Sequence, residues 1–170
     1  TIEALAKLKT VFDRRSGTVT AGNASQISDG ACALLLMSEK KAKAMGYKPL
    51  GYITHYAFAG VEPHRMGMGP AHAIPLVLKK AKMKMKDIQS FEINEAFASV
   101  VLAWEKELKP DMATVNPNGG AIALGHPLGG TGAILLTKAV HELARADREH
   151  AIVTMCCGGG LGTGTLIRRG

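Results

Sequence analysis

Aromatic residues make up only 5% of this chain, with a single tryptophan. A surface that stacks nucleic-acid bases needs more of them, and no nucleic-acid motif is present. Cysteine is equally scarce: Cys32, Cys156 and Cys157 are the only ones. Adjacent cysteines pair only under strain and an odd count leaves a thiol over, so no disulfide framework is read. A reducing compartment suits such a set. No C-x-x-C or H-x-x-x-H spacing occurs, so the usual zinc signatures are missing and no metal is expected. No apolar run is long enough to cross a bilayer. No secretory leader is visible either, but the chain begins at Thr1 rather than Met, so that absence carries no weight.

The 170 residues are 46% hydrophobic and 21% charged, ordinary for a globular protein. That is enough chain to bury a core, most simply as one domain with room for an appended piece. The formal charge of +7 suits an anionic partner, a metabolite as well as a polymer. The densest lysines, Lys79, Lys80, Lys82, Lys84 and Lys86, read first as the solvated face and end of a helix. Phosphate steering is the alternative for them.

Periodicity predicts strands alternating with helices. Thr1–Lys9 has a short helical pattern, and residues 10–30 read as a strand leading into a loop. Ala31–Met37 is wholly apolar, as a strand buried on both faces would be. Ser38 looks like the N-cap of a helix ended by Gly46. Further strands are expected at residues 50–59, 91–94, 151–156 and 165–169. Helices are expected at residues 71–84, with Pro75 in the first turn, at 95–108 and at 131–146. The fold class is α/β, with a mostly parallel sheet covered by helices. Active groups in such sheets gather at the carboxyl ends of strands.

Three element junctions carry chemistry. Cys156 closes the run Ala151–Met155 and is followed by Cys157 and Gly158–Gly160. A cysteine there is ordinarily a small apolar residue. The glycines allow close approach of a ligand, and their N–H groups can bind an oxyanion. They do not read as a dinucleotide fingerprint, because strand rather than helix follows. Cys157 should point to the opposite face and is taken as structural. His126 lies between Gly125 and Pro127, where a structural loop histidine and a proton-transfer group are both plausible. Asn94 is either the N-cap of the next helix or an amide orienting water or a carbonyl. Glu95 reads as a first-turn glutamate favoured by the helix dipole. Phe97 is core or pocket wall, and Met66 and Met68 line an apolar pocket or a surface loop.

Taken in order, five segments resemble the thiolase family. They are Gly17–Ser25, Met66–Pro70, Asn94–Ala98, Gly125–Gly130 and Cys156–Gly160. The resemblance implies a thiolase-like layered fold and acyl transfer between coenzyme A and a 3-ketoacyl-CoA. By it, His126 would activate a nucleophilic cysteine and, with a water held by Asn94, bind one thioester oxygen. Cys156 would be the acid/base thiol at the α-carbon of acetyl-CoA, and Gly158 N–H one arm of a second oxyanion hole. Ser25 and Ala21 would meet coenzyme A, and Met66 and Phe97 would wall the pocket.

The same resemblance implies coenzyme A as a substrate and no permanently bound cofactor. It implies a homodimer or homotetramer, in the cytoplasm, a mitochondrion or a peroxisome; the scarcity of aromatics already speaks against a nucleic-acid partner. Family members are more than twice this length. Residues 1–48 would be the end of their N-terminal domain and residues 49–170 their C-terminal domain. The nucleophilic cysteine belongs to the half that is not here, and Cys32 has none of the motif neighbours to replace it. The chain alone is therefore expected to be inactive. A non-catalytic half-thiolase, binding coenzyme A or serving assembly, is the alternative. A ketoacyl synthase is disfavoured, because its usual site has two histidines instead of a histidine and a cysteine.

Overall fold

A computed structural model describes all residues, Thr1–Gly170. The elements run α1 (Ile2–Leu5), α2 (Glu39–Ala44), β1 (Gly51–Gly60), α3 (Gly69–Ala81), β2 (Ser90–Ile93) and α4 (Ala98–Leu108). They continue with α5 (Ala121–Leu124), α6 (Thr131–Arg145), β3 (His150–Cys157) and β4 (Leu161–Arg169). The four strands form one sheet in the order β1-β4-β3-β2.

The α/β class stands, but the sheet is mixed rather than mostly parallel. β2 and β3 run parallel, whereas β4 is antiparallel to both β1 and β3. The turn Gly158–Gly160 is the reason. A link this short joins strands only as a hairpin. Gly159 and Gly160 take φ of 84° and 90°, which a side chain would resist. β4 also starts earlier than residue 165, because Leu161–Gly164 pair with Cys157–Thr154.

Alternation along β3 feeds two cores. Ile152 and Cys156 pack with Ile74, Val77, Phe91 and Trp104, beneath α3 and α4. Ala151 and Val153 pack with Leu135, Ala139 and Leu143 of α6 on the other face. Those α6 residues recur every fourth position, which is why this segment is an amphipathic helix. Trp104 is fully buried and meets Phe91 edge-on, with ring centroids 5.4 Å apart.

Caps set several boundaries. Ser38 Oγ accepts from Lys41 N at 3.3 Å, and Gly46 takes φ of 72° just past the end of α2, as expected. α3 begins at Gly69, so Pro75 lies inside the helix and not in its first turn. α4 begins at Ala98 because Phe97 is extended, with φ of −144°. Residues 94–97 are therefore a loop, and neither Asn94 nor Glu95 belongs to that helix. Residues 10–30 contain only isolated bridges, such as Thr10 with Thr20.

Ala31–Met37 is not a strand. Leu35 and Leu36 are 75% and 67% exposed. An apolar run becomes a strand only when a neighbouring strand completes its ladder, and no strand of this chain lies beside it.

A buried ion pair ties α6 to β2. Glu92 is fully buried, and its Oε2 lies 2.7 Å from Lys138 Nζ, which also donates to the Gly119 carbonyl. Burial raises the Glu92 pKa, and Lys138 only partly opposes the rise. A group with a raised folded-state pKa stabilises least at high pH, so this contribution is lost as pH climbs above the carboxylate range. Lys138→Met is expected to cost about 3–5 kcal/mol, because it strands the carboxylate. The loss, read from urea unfolding, should be larger at mildly alkaline than at mildly acidic pH. Equal losses at both would contradict this account of Glu92.

Candidate active site

Parallel pairing places the carboxyl ends of β2 and β3 side by side, with Ser90–Ile93 opposite Ala151–Thr154. The ladder runs one step further, since Asn94 N donates to Thr154 O at 3.0 Å. Asn94 is fully buried. Its Nδ2 lies 3.2 Å from His126 Nε2. Residues 32 apart in sequence thus form an amide–imidazole pair.

Several contacts present His126. α5 ends at Gly125, whose φ of 100° turns the chain. His126 N then donates to Ser28 Oγ at 3.2 Å, and Ile27 bridges His126 in parallel. The imidazole Nδ1 lies 2.7 Å from Thr131 Oγ1, at the start of α6. That hydroxyl donates to the Pro127 carbonyl at 2.9 Å. It has a single proton, so towards His126 it accepts. Nδ1 therefore carries the ring proton, and Nε2 is the bare nitrogen that receives the Asn94 amide. Burial lowers the His126 pKa, which favours this neutral form.

A groove of about 620 Å³ opens beside this pair. Its walls include Ser25, Met66, Phe97, His126, Cys156 and Gly158. Ser25 is held there because its N–H donates to Ala96 O at 3.0 Å. Phe97 bridges Ala24 and meets Phe12 edge-on at 6.1 Å. Met68 packs against the α3/α4 core instead of the groove. Ala21 sits in an exposed turn away from the groove walls. Cys157 is also on the wall, because the strand ends there and turns at Gly158. Cys32 lies elsewhere, 3.5 Å from Thr137 Oγ1 on α6.

Cys156 is 7% exposed, and its pKa is raised, first by burial and then by Cys157. Reactive acid/base cysteines commonly have a lowered pKa. Desolvation acts the other way and keeps a neutral thiol. That thiol is a store of one proton beside the groove.

Thr131 was missed at the level of sequence. A hydroxyl residue five positions past a histidine, at a helix start, was the available signal. Glu95 also takes an unforeseen part: it accepts from Asn116 Nδ2 at 2.9 Å and from Ile122 N at 3.1 Å. No group of three or more His, Cys, Asp or Glu is arranged to hold a metal ion.

Fold and site together define an α/β protein in which a buried thiol and an amide–imidazole pair meet at the carboxyl ends of parallel strands. The thiolase C-terminal domain matches residues 47–169, and the thiolase N-terminal domain matches residues 1–40. The chain belongs to the thiolase family.

It is 46% identical over 169 residues to the beta-ketothiolase BktB of Cupriavidus necator, covering 99% of this chain and 43% of that protein. The acetyl-CoA acetyltransferase of Bacillus anthracis superposes with a TM-score of 0.94 at 48% identity, over 99% of this chain and 43% of that one. Human mitochondrial 3-ketoacyl-CoA thiolase in complex with CoA superposes at 0.91 with 44% identity, over 100% and 43%. The chain thus spans less than half the length of the relatives it matches. No helix is long and apolar enough to cross a membrane.

Proposed function

We propose that this chain is the C-terminal part of a thiolase, with residues 1–48 ending the N-terminal domain and 49–170 forming the C-terminal domain. It works on a 3-ketoacyl-CoA and coenzyme A, together with an N-terminal half that carries a nucleophilic cysteine. The observation that carries this reading is that His126 and Cys156, from separate segments, line one groove while Asn94 from a third backs His126 at 3.2 Å.

Each group has a task its geometry suits. His126 Nε2 has a lone pair and takes the proton of the nucleophilic thiol. The resulting thiolate attacks the 3-keto carbon, and the C2–C3 bond breaks. The electron pair leaves as the enolate of acetyl-CoA. Once protonated, His126 Nε2 is a donor and binds the enolate oxygen beside a water held by Asn94. Cys156 Sγ delivers its proton to C2, which completes acetyl-CoA. The Cys156 thiolate then takes the proton of the coenzyme A thiol, which attacks the acyl thioester; Gly158 N–H stabilises the tetrahedral oxyanion, and the nucleophilic cysteine leaves and recovers its proton from His126. Ser25 positions the pantetheine arm, while Met66 and Phe97 enclose the acyl end. The same steps reversed give Claisen condensation.

Exposed apolar residues support the need for another half. Ile2, Val11, Phe12, Ile27, Leu35 and Leu36 are all more than half exposed and lie in the first 36 residues. A surface this apolar marks an interface. Oligomerisation to a homodimer or homotetramer is part of the proposal.

The test is a time course with acetoacetyl-CoA and coenzyme A. The chain alone is expected to give no sustained turnover. Adding a thiolase N-terminal half with its cysteine is expected to give turnover. Sustained activity of the chain alone would sink the division of labour. Failure of every complementing half, with binding of coenzyme A intact, would favour the non-catalytic module.

A further inference from the structure

We propose that Asn116 is a positioning residue for the Asn94–His126 pair, an inference that rests on the thiolase-type reading of that pair. Asn116 has φ of 44°, a backbone state that asparagine tolerates better than most residues. Its own N–H donates to Phe91 O at 2.8 Å, and Val115 bridges Phe91 in parallel. The segment therefore runs beside β2, on the side away from β3.

From there the side-chain amide does what the peptide of a neighbouring strand would do. Asn116 Oδ1 accepts from Ile93 N at 2.9 Å, and Nδ2 donates to Ile93 O at 2.9 Å. The second Nδ2 proton goes to Glu95 Oε1, also at 2.9 Å. One amide thus holds both chain neighbours of Asn94. Across the strand, Thr154 O holds the Asn94 N–H itself. Asn94 is braced from both sides, with every bond near ideal length.

Glu95 carries the brace to His126. Its Oε2 accepts from Ile122 N at the start of α5, and α5 leads into Gly125 and His126. The carboxylate fills the space that a Cβ on Gly120 would need. The path Ile93–Asn116–Glu95–Ile122 therefore joins the two segments that carry the amide and the imidazole. Neither Asn116 nor Glu95 lines the groove, so Asn116 acts through the pair rather than on substrate. The contact it maintains, 3.2 Å between Asn94 and His126, does not survive a shift of about 1 Å.

Asn116→Asp separates this role from mere bulk. The aspartate keeps the shape and still accepts from Ile93 N. It loses both N–H donors and sets a carboxylate against Glu95. Nitrogen-15 NMR of the full 170-residue chain is the first readout. The His126 ring nitrogens and the Asn94 side-chain amide are expected to shift, while the His64 and His150 rings stay as in wild type.

In an enzyme complemented with its N-terminal half, acylation of the nucleophile should slow on the order of 10²-fold, with KM little changed. Glu95→Gln is the second variant and decides the matter if Asn116→Asp does not fold. It should move the same resonances by less. A folded Asn116→Asp or Glu95→Gln chain with wild-type His126 and Asn94 resonances overturns the proposal. If the complemented wild type shows no turnover, the thiolase reading fails, and the resonances still judge Asn116.

Discussion

Cys156→Ser in the complemented enzyme is expected to reduce turnover by about 10²–10⁴-fold, the usual worth of a positioned acid/base. Acylation of the nucleophile should survive. On the proposed mechanism the two results separate, because there Cys156 first enters when C2 needs its proton. A serine hydroxyl fits the space but releases its proton far less readily than a thiol. Burial already holds the Cys156 thiol in its neutral form, with Cys157 adding to the effect. The resting side chain is thus loaded as a donor, and serine removes the ability to cycle. Mass spectrometry of the acyl-enzyme, beside steady-state rates, measures both halves. Near-wild-type turnover would falsify the acid/base role.

His126→Ala should fail one step earlier. Acylation itself is expected to slow by about 10²–10⁴-fold, because no base remains to take the nucleophile's proton. The pH dependence gives an independent check. Burial lowers the His126 pKa, so its Nε2 stays unprotonated to lower pH than an exposed imidazole would. Wild-type acylation should therefore hold through neutral pH and decline only below the ordinary histidine range. In the alanine variant that decline should vanish, leaving a low rate with a flatter profile. Rapid-quench acylation across pH tests this. Unimpaired acylation in His126→Ala removes the residue from the mechanism.

Much of the site was legible because its parts are short and local. The segment from Asn94, the Gly125–Gly130 loop and the Cys156–Gly160 turn each announce themselves by residue type and neighbours. The placement of Asn94 and Cys156 at strand ends followed from the strand–helix alternation, and the parallel β2–β3 pair agrees with it. The plainer accounts of Asn94 and Glu95 failed for a reason local patterns do not reveal. α4 starts at Ala98, which frees both side chains for distant partners.

The direction of the sheet was misread because strand–helix alternation describes only part of it. β4 returns through a three-glycine turn and also receives β1, so antiparallel pairing prevails. Ala31–Met37 was misread because apolarity reports what a segment would bury and not whether a partner is at hand.

By itself the sequence determined the family and the α/β class and singled out Asn94, His126 and Cys156 as the groups to examine, since these reside in residue identity and order along the chain. Only the tertiary structure decided how those groups act together. The His126 tautomer depends on where the Thr131 hydroxyl sends its one proton. The brace through Asn116 depends on hydrogen bonds that span 21 and 23 residues. Such bonds need both partners within about 3 Å in the right direction, a condition that sequence separation does not encode.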